Sequence, residues 1–322
     1  MNQIHRRGFL TATATAGAAA YLGTSLRADD TTAGGTSPPA PPRVKLGKTG
    51  IETTRLAMGT GVHGGSRQSD QAHMGFEKLV GLFRHAYDRG VRFFDLADLY
   101  GTHIYFREAF NFAMDKKLKR EDFTILTKLW WRYDGDEKKP VDPYRKNVAL
   151  STLERFRHEL FHRDLKNQYI DIVLLHCMTI ENWDKYLEPY MEALTEAKEK
   201  KLIRAVGVSC HDRGALEQAA KCPWVDVVLA RINLQGGPKV MMDGTTEEIV
   251  ETIGRIKKAG KTVIGMKIFG EGRLAERKED CIKFAQGLGL LDAMTIGFHE
   301  PKQIDEVLSL LEKYPAAKVE TP

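Results

Sequence analysis

From about Val44 onward, apolar runs of strand length alternate with amphipathic segments of helix length. The runs are RLAMGTG (55–61), VRFFDLA (91–97), FTILTKL (123–129), DIVLLHC (171–177), IRAVGVS (203–209), VDVVLAR (225–231), KTVIGMK (261–267) and LDAMTIG (291–297). Between them lie helical patterns such as GFEKLVGLFRHAYDRG, PYRKNVALSTLERFRHELF and MEALTEAKEKKL. The last ends in Lys–Lys, which suits the negative end of a helix dipole. Ahead of the first run, VKLGKTGIETTRL reads as a hairpin turning at Gly47–Gly50.

Eight strands alternating with helices call for a parallel sheet, because parallel neighbours need crossover connections. Eight is also the count that closes a (β/α)8 TIM barrel, here spanning residues 44–322. A doubly wound open sheet is the competing architecture. GTGVHG (59–64) matches the dinucleotide fingerprint G-x-G-x-x-G, whose glycines must open a helix directly. Here GSRQSDQAH intervenes before the helical pattern near Met74. No acid closes a second strand about twenty residues on. The glycines are therefore expected to form a loop above strand one, not a Rossmann turn.

The N-terminus has another texture. MNQIHRRGFLTATATAGAAAYLGTSLRA (1–28) places Arg6–Arg7 before Phe9–Leu10 and an Ala/Gly/Thr-rich run. It resembles a twin-arginine export signal, which implies the export machinery as a partner and an exported, periplasmic location. A basic N-terminus without structure is the alternative. The run is too short and polar for a stable membrane span. Residues 29–43, DDTTAGGTSPPAPPR, form a polar, Pro-rich tether with little apolar surface to bury.

Composition narrows the classes further. With 42% hydrophobic and 28% charged residues in a chain of 322, a sizeable core is expected. The net charge of +5 is dispersed, and no nucleic-acid-binding signature accompanies it. Cys177, Cys210, Cys222 and Cys281 show neither metal-site nor disulfide-framework spacing, and read as small core residues.

In a barrel, chemistry gathers at the C-terminal ends of the strands. Asp95 ends strand two and Tyr100 follows it in FDLADLYG; Lys128 lies near the end of strand three, and His176 ends strand four. Taken singly, Asp95 is a turn acid, Tyr100 a packing residue and His176 a core histidine. Lys128 is less easily dismissed, because a buried charge needs a partner. Together they make a proton-transfer set. A phenol is a weak acid at neutral pH, and an ammonium beside it is expected to lower its pKa. Asp95 would hold that ammonium, and His176 would orient a carbonyl oxygen. No side chain supplies a hydride, so a nicotinamide cofactor is implied. Two other classes stay open: a non-catalytic barrel that binds a ligand or partner, and a sugar-handling isomerase or lyase with Lys128 as a Schiff-base amine.

LGKTGIETTRLAMGTG, FFDLADLYG, TKL, DIVLLH, IRAVGVS and TIGFHEPKQIDEV together resemble the aldo-keto reductase family from about Val44 to Leu311. The resemblance implies that Asp95, Tyr100, Lys128 and His176 are the catalytic tetrad, with Tyr100 as general acid towards a carbonyl substrate, or base towards an alcohol. It implies NADP(H), with NAD(H) open, lying across the barrel top. The matching cofactor positions are Gly59, Thr60, Gly61, Ser209, Lys267, Ile268, Phe269, Gly270, Gly297, Gln303 and Glu306. Two positions depart from the family: Cys210 stands where Asn follows the strand-five Ser, and Leu229 where strand six carries Gln. Arg231 points the same way as Leu229, two residues on. Neither Cys210 nor Leu229 has an amide's paired donor and acceptor. Lys302, rather than an Arg, is available for a 2′-phosphate. In the loop after strand three, Trp130 and Trp131 are expected either to wall a substrate pocket or to brace the rim.

Overall fold

The computed structural model describes residues 40–318, apart from 112–114, 116, 132–139 and 163–164. The proposed signal, residues 1–28, and most of the tether therefore lie outside the described residues.

Every apolar run became a strand. After the hairpin β1 (Arg43–Lys45) and β2 (Glu52–Thr54) come eight parallel strands: β3 (Leu56–Gly59), β4 (Phe93–Asp95), β5 (Thr124–Leu129), β6 (Ile170–Met178), β7 (Ile203–Cys210), β8 (Val227–Arg231), β9 (Thr262–Met266) and β10 (Ala293–Gly297). They pair in sequence order, and β10 closes back onto β3. This is the (β/α)8 barrel, and the open sheet is excluded. The outer layer comprises α1 (Asp70–His73), α2 (Phe76–Asp88), α3 (His103–Ala109), α4 (Arg145–Leu160), α5 (Trp183–Tyr186), α6 (Glu188–Glu199), α7 (Arg213–Lys221), α8 (Thr246–Lys258), α9 (Lys278–Gly287) and α10 (Pro301–Lys313). Helix α8 starts on a capping box of Thr245 and Glu248, and α7 on Asp212, which accepts from the Ala215 N–H. Among the described residues no helix is long and apolar enough to cross a membrane.

Strand period two sorts the side chains. Ala57, Phe93, Leu126, Ile172, Leu174, Ala205, Val227, Leu229, Ile264, Met266 and Ala293 fill the barrel interior. Their neighbours, such as Phe94, Ile125, Val173, Val206 and Val228, face the helices in a second core. Leu46 and Ile51 of the hairpin join the interior cluster and close the barrel at its N-terminal end.

The tether ends earlier than expected. Pro41 is buried, the Pro42 carbonyl accepts from the Arg55 N–H at 2.8 Å, and β1 begins at Arg43. Residues 41–43 thus belong to the fold, because the closed barrel end offers them apolar surface and a backbone donor.

At this same end, strand-opening aspartates repeat. Asp171 accepts from the Ile125 N–H (2.9 Å), Arg120 (2.6 Å) and Arg204 (2.9 Å). Asp292 accepts from the Val263 N–H (2.7 Å) and twice from Lys257 (2.8 and 2.7 Å). Asp226 accepts from the Val206 N–H (3.0 Å) and from Lys198. Each carboxylate ties its strand to the preceding one while a cation neutralises it.

Candidate active site

The groups at the opposite end are placed by the same alternation. Asp95 follows Phe93 as the next inward residue, Lys128 follows Leu126, and His176 follows Leu174. Each ionisable group thus stands on an apolar floor, one inward position nearer the mouth. Asp95, Lys128 and His176 are buried. Tyr100 arrives from outside the strands. It ends a 3-10 turn (Asp98–Tyr100) that stops at Gly101, whose positive φ of 68° favours glycine.

Lys128 Nζ donates to Asp95 Oδ1, to the Leu96 carbonyl (3.0 Å) and to Tyr100 Oη (3.3 Å). Three partners occupy the three N–H donors of an ammonium. Lys128 is therefore not presented as a free amine for Schiff-base chemistry. Tyr100 Oη lies 3.4 Å from His176 Nε2. Asp95 Oδ2 accepts from Thr295 Oγ1 at 2.9 Å. Thr295 went unnoticed in the sequence, although it follows Ala293 with inward parity.

The electrostatics qualify one expectation. Burial pushes the Tyr100 phenol well above its usual value, and Asp95, Cys177 and Glu271 push the same way. The expected lowering by Lys128 does not prevail: a phenolate enclosed beside carboxylates costs more than the ammonium returns. Burial lowers the Lys128 pKa, and Asp95 opposes it. Burial, with Lys128 and Lys267, holds His176 well below its usual value, so this imidazole is neutral at neutral pH.

The glycine loop supports the tyrosine. A Cβ on Gly61 would lie 2.2 Å from Tyr100 Cζ, and one on Gly64 2.4 Å from its Cδ1. Only glycine lets this loop lie flat against the ring. From behind, Asp98 binds Arg67 (3.0 Å) and Arg155 (2.9 Å). Glu159 binds both arginines and His103 Nδ1, while His103 Nε2 meets Thr127 Oγ1 at 2.7 Å. The turn carrying Tyr100 is thus tied to α4 and to β5.

The remaining expected positions divide. Thr60 is fully buried, its hydroxyl bound to the Asp95 carbonyl (2.9 Å) and to Thr102 Oγ1 (2.9 Å), so it braces β4 and does not face the mouth. Ser209 is likewise buried and accepts from the Cys177 N–H at 2.8 Å, where the β6–β7 register shifts and Cys177 takes a positive φ of 66°. Gly59 stands beside Thr295, where a Cβ would meet Oγ1 at 2.8 Å. At Gly297 a Cβ would meet Val62 Cγ2 at 2.5 Å. Lys267, with a positive φ of 58°, pairs with Glu271. Ile268 and Gly270 are buried and Phe269 is half-buried. Gln303 accepts from the His299 N–H (2.8 Å), and Glu306 pairs with Lys278, so both already hold protein partners. Trp131 is buried, its Nε1 donating to the His176 carbonyl at 2.8 Å, and acts as a brace. Trp130 turns to the site, with its ring centroid 5.9 Å from that of His176.

The two departures point different ways. Leu229 lies in the barrel interior, whereas Cys210 is buried in the helix-facing core. Above Leu229, Arg231 binds Asp243 at 3.0 Å and His211 Nδ1.

A nicotinamide nucleotide fits these residues. His176 Nδ1 is a buried polar atom with no hydrogen-bond partner among the described residues. Lys267, Arg273 and Lys302 supply cations around the ends of β9 and β10.

Comparison with known proteins agrees with the fold. The Aldo/keto reductase family profile matches residues 55–289. The chain belongs to this family. A Saccharomyces cerevisiae protein named as an aryl-alcohol dehydrogenase is 25% identical over 188 residues, 52% of this chain and 51% of that protein. Versiconal hemiacetal acetate reductase of Aspergillus parasiticus is 28% identical over 179 residues, 51% of this chain and 50% of that protein. The matches thus span about half the length of these relatives. Among solved structures, an aldo-keto reductase from Bacillus halodurans superposes with a TM-score of 0.63 at 18% identity, covering 87% of this chain and 97% of that one. A Bombyx mori aldo-keto reductase in complex with NADP gives 0.59 at 17% identity, covering 85% and 88%. These likenesses show the fold.

Proposed function

We propose that this chain is an oxidoreductase that interconverts an aldehyde or ketone with an alcohol, using NADP(H). The observation that carries the proposal is the position of Tyr100 Oη, 3.3 Å from Lys128 Nζ and 3.4 Å from His176 Nε2, at the mouth of the barrel. The names of the two relatives, a dehydrogenase and a reductase, support the same class. The NADP complex of the Bombyx mori protein supports the cofactor.

When bound, the nicotinamide supplies the hydride. A carbonyl oxygen seated between Tyr100 Oη and a His176 Nε2–H receives a hydrogen bond from each, which polarises the carbon. The high pKa of Tyr100 keeps its proton in place until it is needed. As the carbon is reduced, its oxygen becomes an alkoxide, a stronger base than a phenolate, and takes that proton. Lys128 stabilises the phenolate that forms, and Asp95, fixed by Thr295, holds Lys128. In the oxidative direction the same groups act in reverse, with Tyr100 as base. Trp130 is the proposed apolar wall of the substrate site.

Following NADPH consumption against a panel of aldehydes and ketones tests this. Turnover that is lost in Tyr100→Phe is expected. Failure to bind NADPH at millimolar concentration would instead favour a ligand-binding barrel. Lys302 supports NADP(H) over NAD(H), and a Lys302→Ala variant that discriminates as well as the wild type would remove that support.

Arg6–Arg7 support export of the folded protein, with the cofactor loaded beforehand and retained. Cell fractionation of an Arg6→Lys/Arg7→Lys variant is expected to find it held in the cytoplasm. Unchanged export would sink this assignment. Mass spectrometry of the exported protein should find nucleotide bound.

A further inference from the structure

His211 is the first residue beyond β7, and its N–H donates to the Met178 carbonyl at 2.8 Å. Cys210, just before it, pairs with Met178, two residues past His176 at the C-terminal end of β6. His211 is therefore at the mouth, beside the acid–base set. Arg231 Nη2 meets its Nδ1, and Arg231 Nη1 is bound to Asp243 at 3.0 Å. A guanidinium is always a donor, so Nδ1 must accept. The one ring proton then resides on Nε2, and Nε2–H has no protein partner among the described residues. Asp243 fixes Arg231, Arg231 fixes the tautomer, and the tautomer leaves a donor at the barrel mouth.

The positions of an amide grip are otherwise bare. Cys210 is turned into the helix-facing core, and Leu229 is an interior alkyl side chain. Ser209 is fully buried, and its Oγ accepts from the Cys177 N–H. Hydride transfer requires the nicotinamide ring within contact distance of a carbon whose oxygen lies at Tyr100 Oη and His176 Nε2. A ring so placed can rest its carboxamide over the ends of β6 to β8, where His211 and Arg231 offer polar side chains.

We propose that His211, aligned by the Arg231–Asp243 pair, donates through Nε2–H to the carboxamide oxygen of the nicotinamide, in place of the amide side chains that Cys210 and Leu229 cannot supply. This rests on the oxidoreductase assignment above. The same donor in the family-like arrangement would come from an Asn or Gln. Here a histidine–arginine–aspartate relay does the work from one residue further along β7 and two further along β8.

Calorimetric titration with two probes tests it: NADP+, and adenosine 2′,5′-bisphosphate, which lacks the nicotinamide. His211→Ala is expected to weaken NADP+ binding about 10-fold, the loss of one hydrogen bond to a desolvated acceptor. Binding of the bisphosphate should not change. His211→Asn, which restores an N–H donor, should recover part of the loss, and thermal melting checks that both variants fold. Equal weakening of both probes would make His211 merely structural and overturn the proposal. So would unchanged NADP+ binding with a raised KM for the carbonyl compound, which would place His211 on the substrate. If the wild type binds neither probe at millimolar concentration, the oxidoreductase assignment itself fails, an outcome distinct from the other two.

Discussion

The two ends of this barrel hold the same kinds of charged residue and use them differently. At the closed end Asp171 and Asp292 are buried, and each accepts from a backbone N–H as well as from a cation at ordinary hydrogen-bond distance. Both oxygens of each of these two carboxylates hold a partner. At the mouth Asp95 and Lys128 are equally buried, yet their chain runs on to Tyr100 and ends 3.4 Å from an imidazole whose other nitrogen has no partner among the described residues. Saturated carboxylates lock strand to strand. A network with open valences at one end is held ready for a molecule that completes it.

The contrast breaks down if mutations at the two ends have similar effects. Tyr100→Phe should lower carbonyl turnover by about 10³-fold, the range for loss of a positioned general acid, with an unchanged melting temperature. Turnover at wild-type speed would end the case for the mouth. Asp171→Ala should do the opposite: a loss of about 3–5 kcal/mol in urea unfolding, because Arg120 is left buried without its carboxylate, and little change in kcat. If stability holds while activity falls, the closed end is not the structural one. Gly61→Ala sharpens the comparison, since its methyl must displace the Tyr100 ring; about a 10²-fold drop in kcat with modest destabilisation is expected.

The smallest effect is the pH dependence. Burial lowers the pKa of His103 and of His176 from the ordinary 6.5. As pH falls through that value the unfolded chain takes up protons that the folded protein refuses, so stability declines with acidification. Glu159 adds a second window. Burial would raise it, but bonds from His103, Arg67 and Arg155 prevail and hold it at about 2, so its contribution is lost as pH falls from 4.5 towards that value. A urea midpoint that stays level between about pH 7 and pH 4.5 would contradict the first, and one that stays level from about pH 4.5 down to pH 2 the second.

Much of this was legible in the chain. The eight apolar runs are the eight strands, because a strand buried on both faces reads as an unbroken apolar stretch. The cluster of Asp95, Tyr100, Lys128 and His176 was legible because three of them stood at or near the C-terminal ends of their runs and Tyr100 in the loop after one. The closing role of Asp171, Asp226 and Asp292 was missed, although all three stand in the first or second position of an apolar run. Their meaning depends on which neighbouring strand's N–H they reach, and that is a matter of register. Thr60 and Ser209 were legible as residues near the mouth, but not as braces, since a hydroxyl's direction follows from the local turn. The sign of the Tyr100 shift was misjudged because its neighbour Lys128 can be read from sequence, whereas enclosure by Gly61 and Gly64 cannot.

The stopper formed by Leu46 and Ile51 caps an interior already filled by side chains such as Phe93, Leu126 and Leu174. Those three side chains also floor the mouth, so the ribbon and the reacting groups lean on opposite ends of one apolar column. Loosening the ribbon is therefore a way to weaken the column without touching any group that binds or moves a proton.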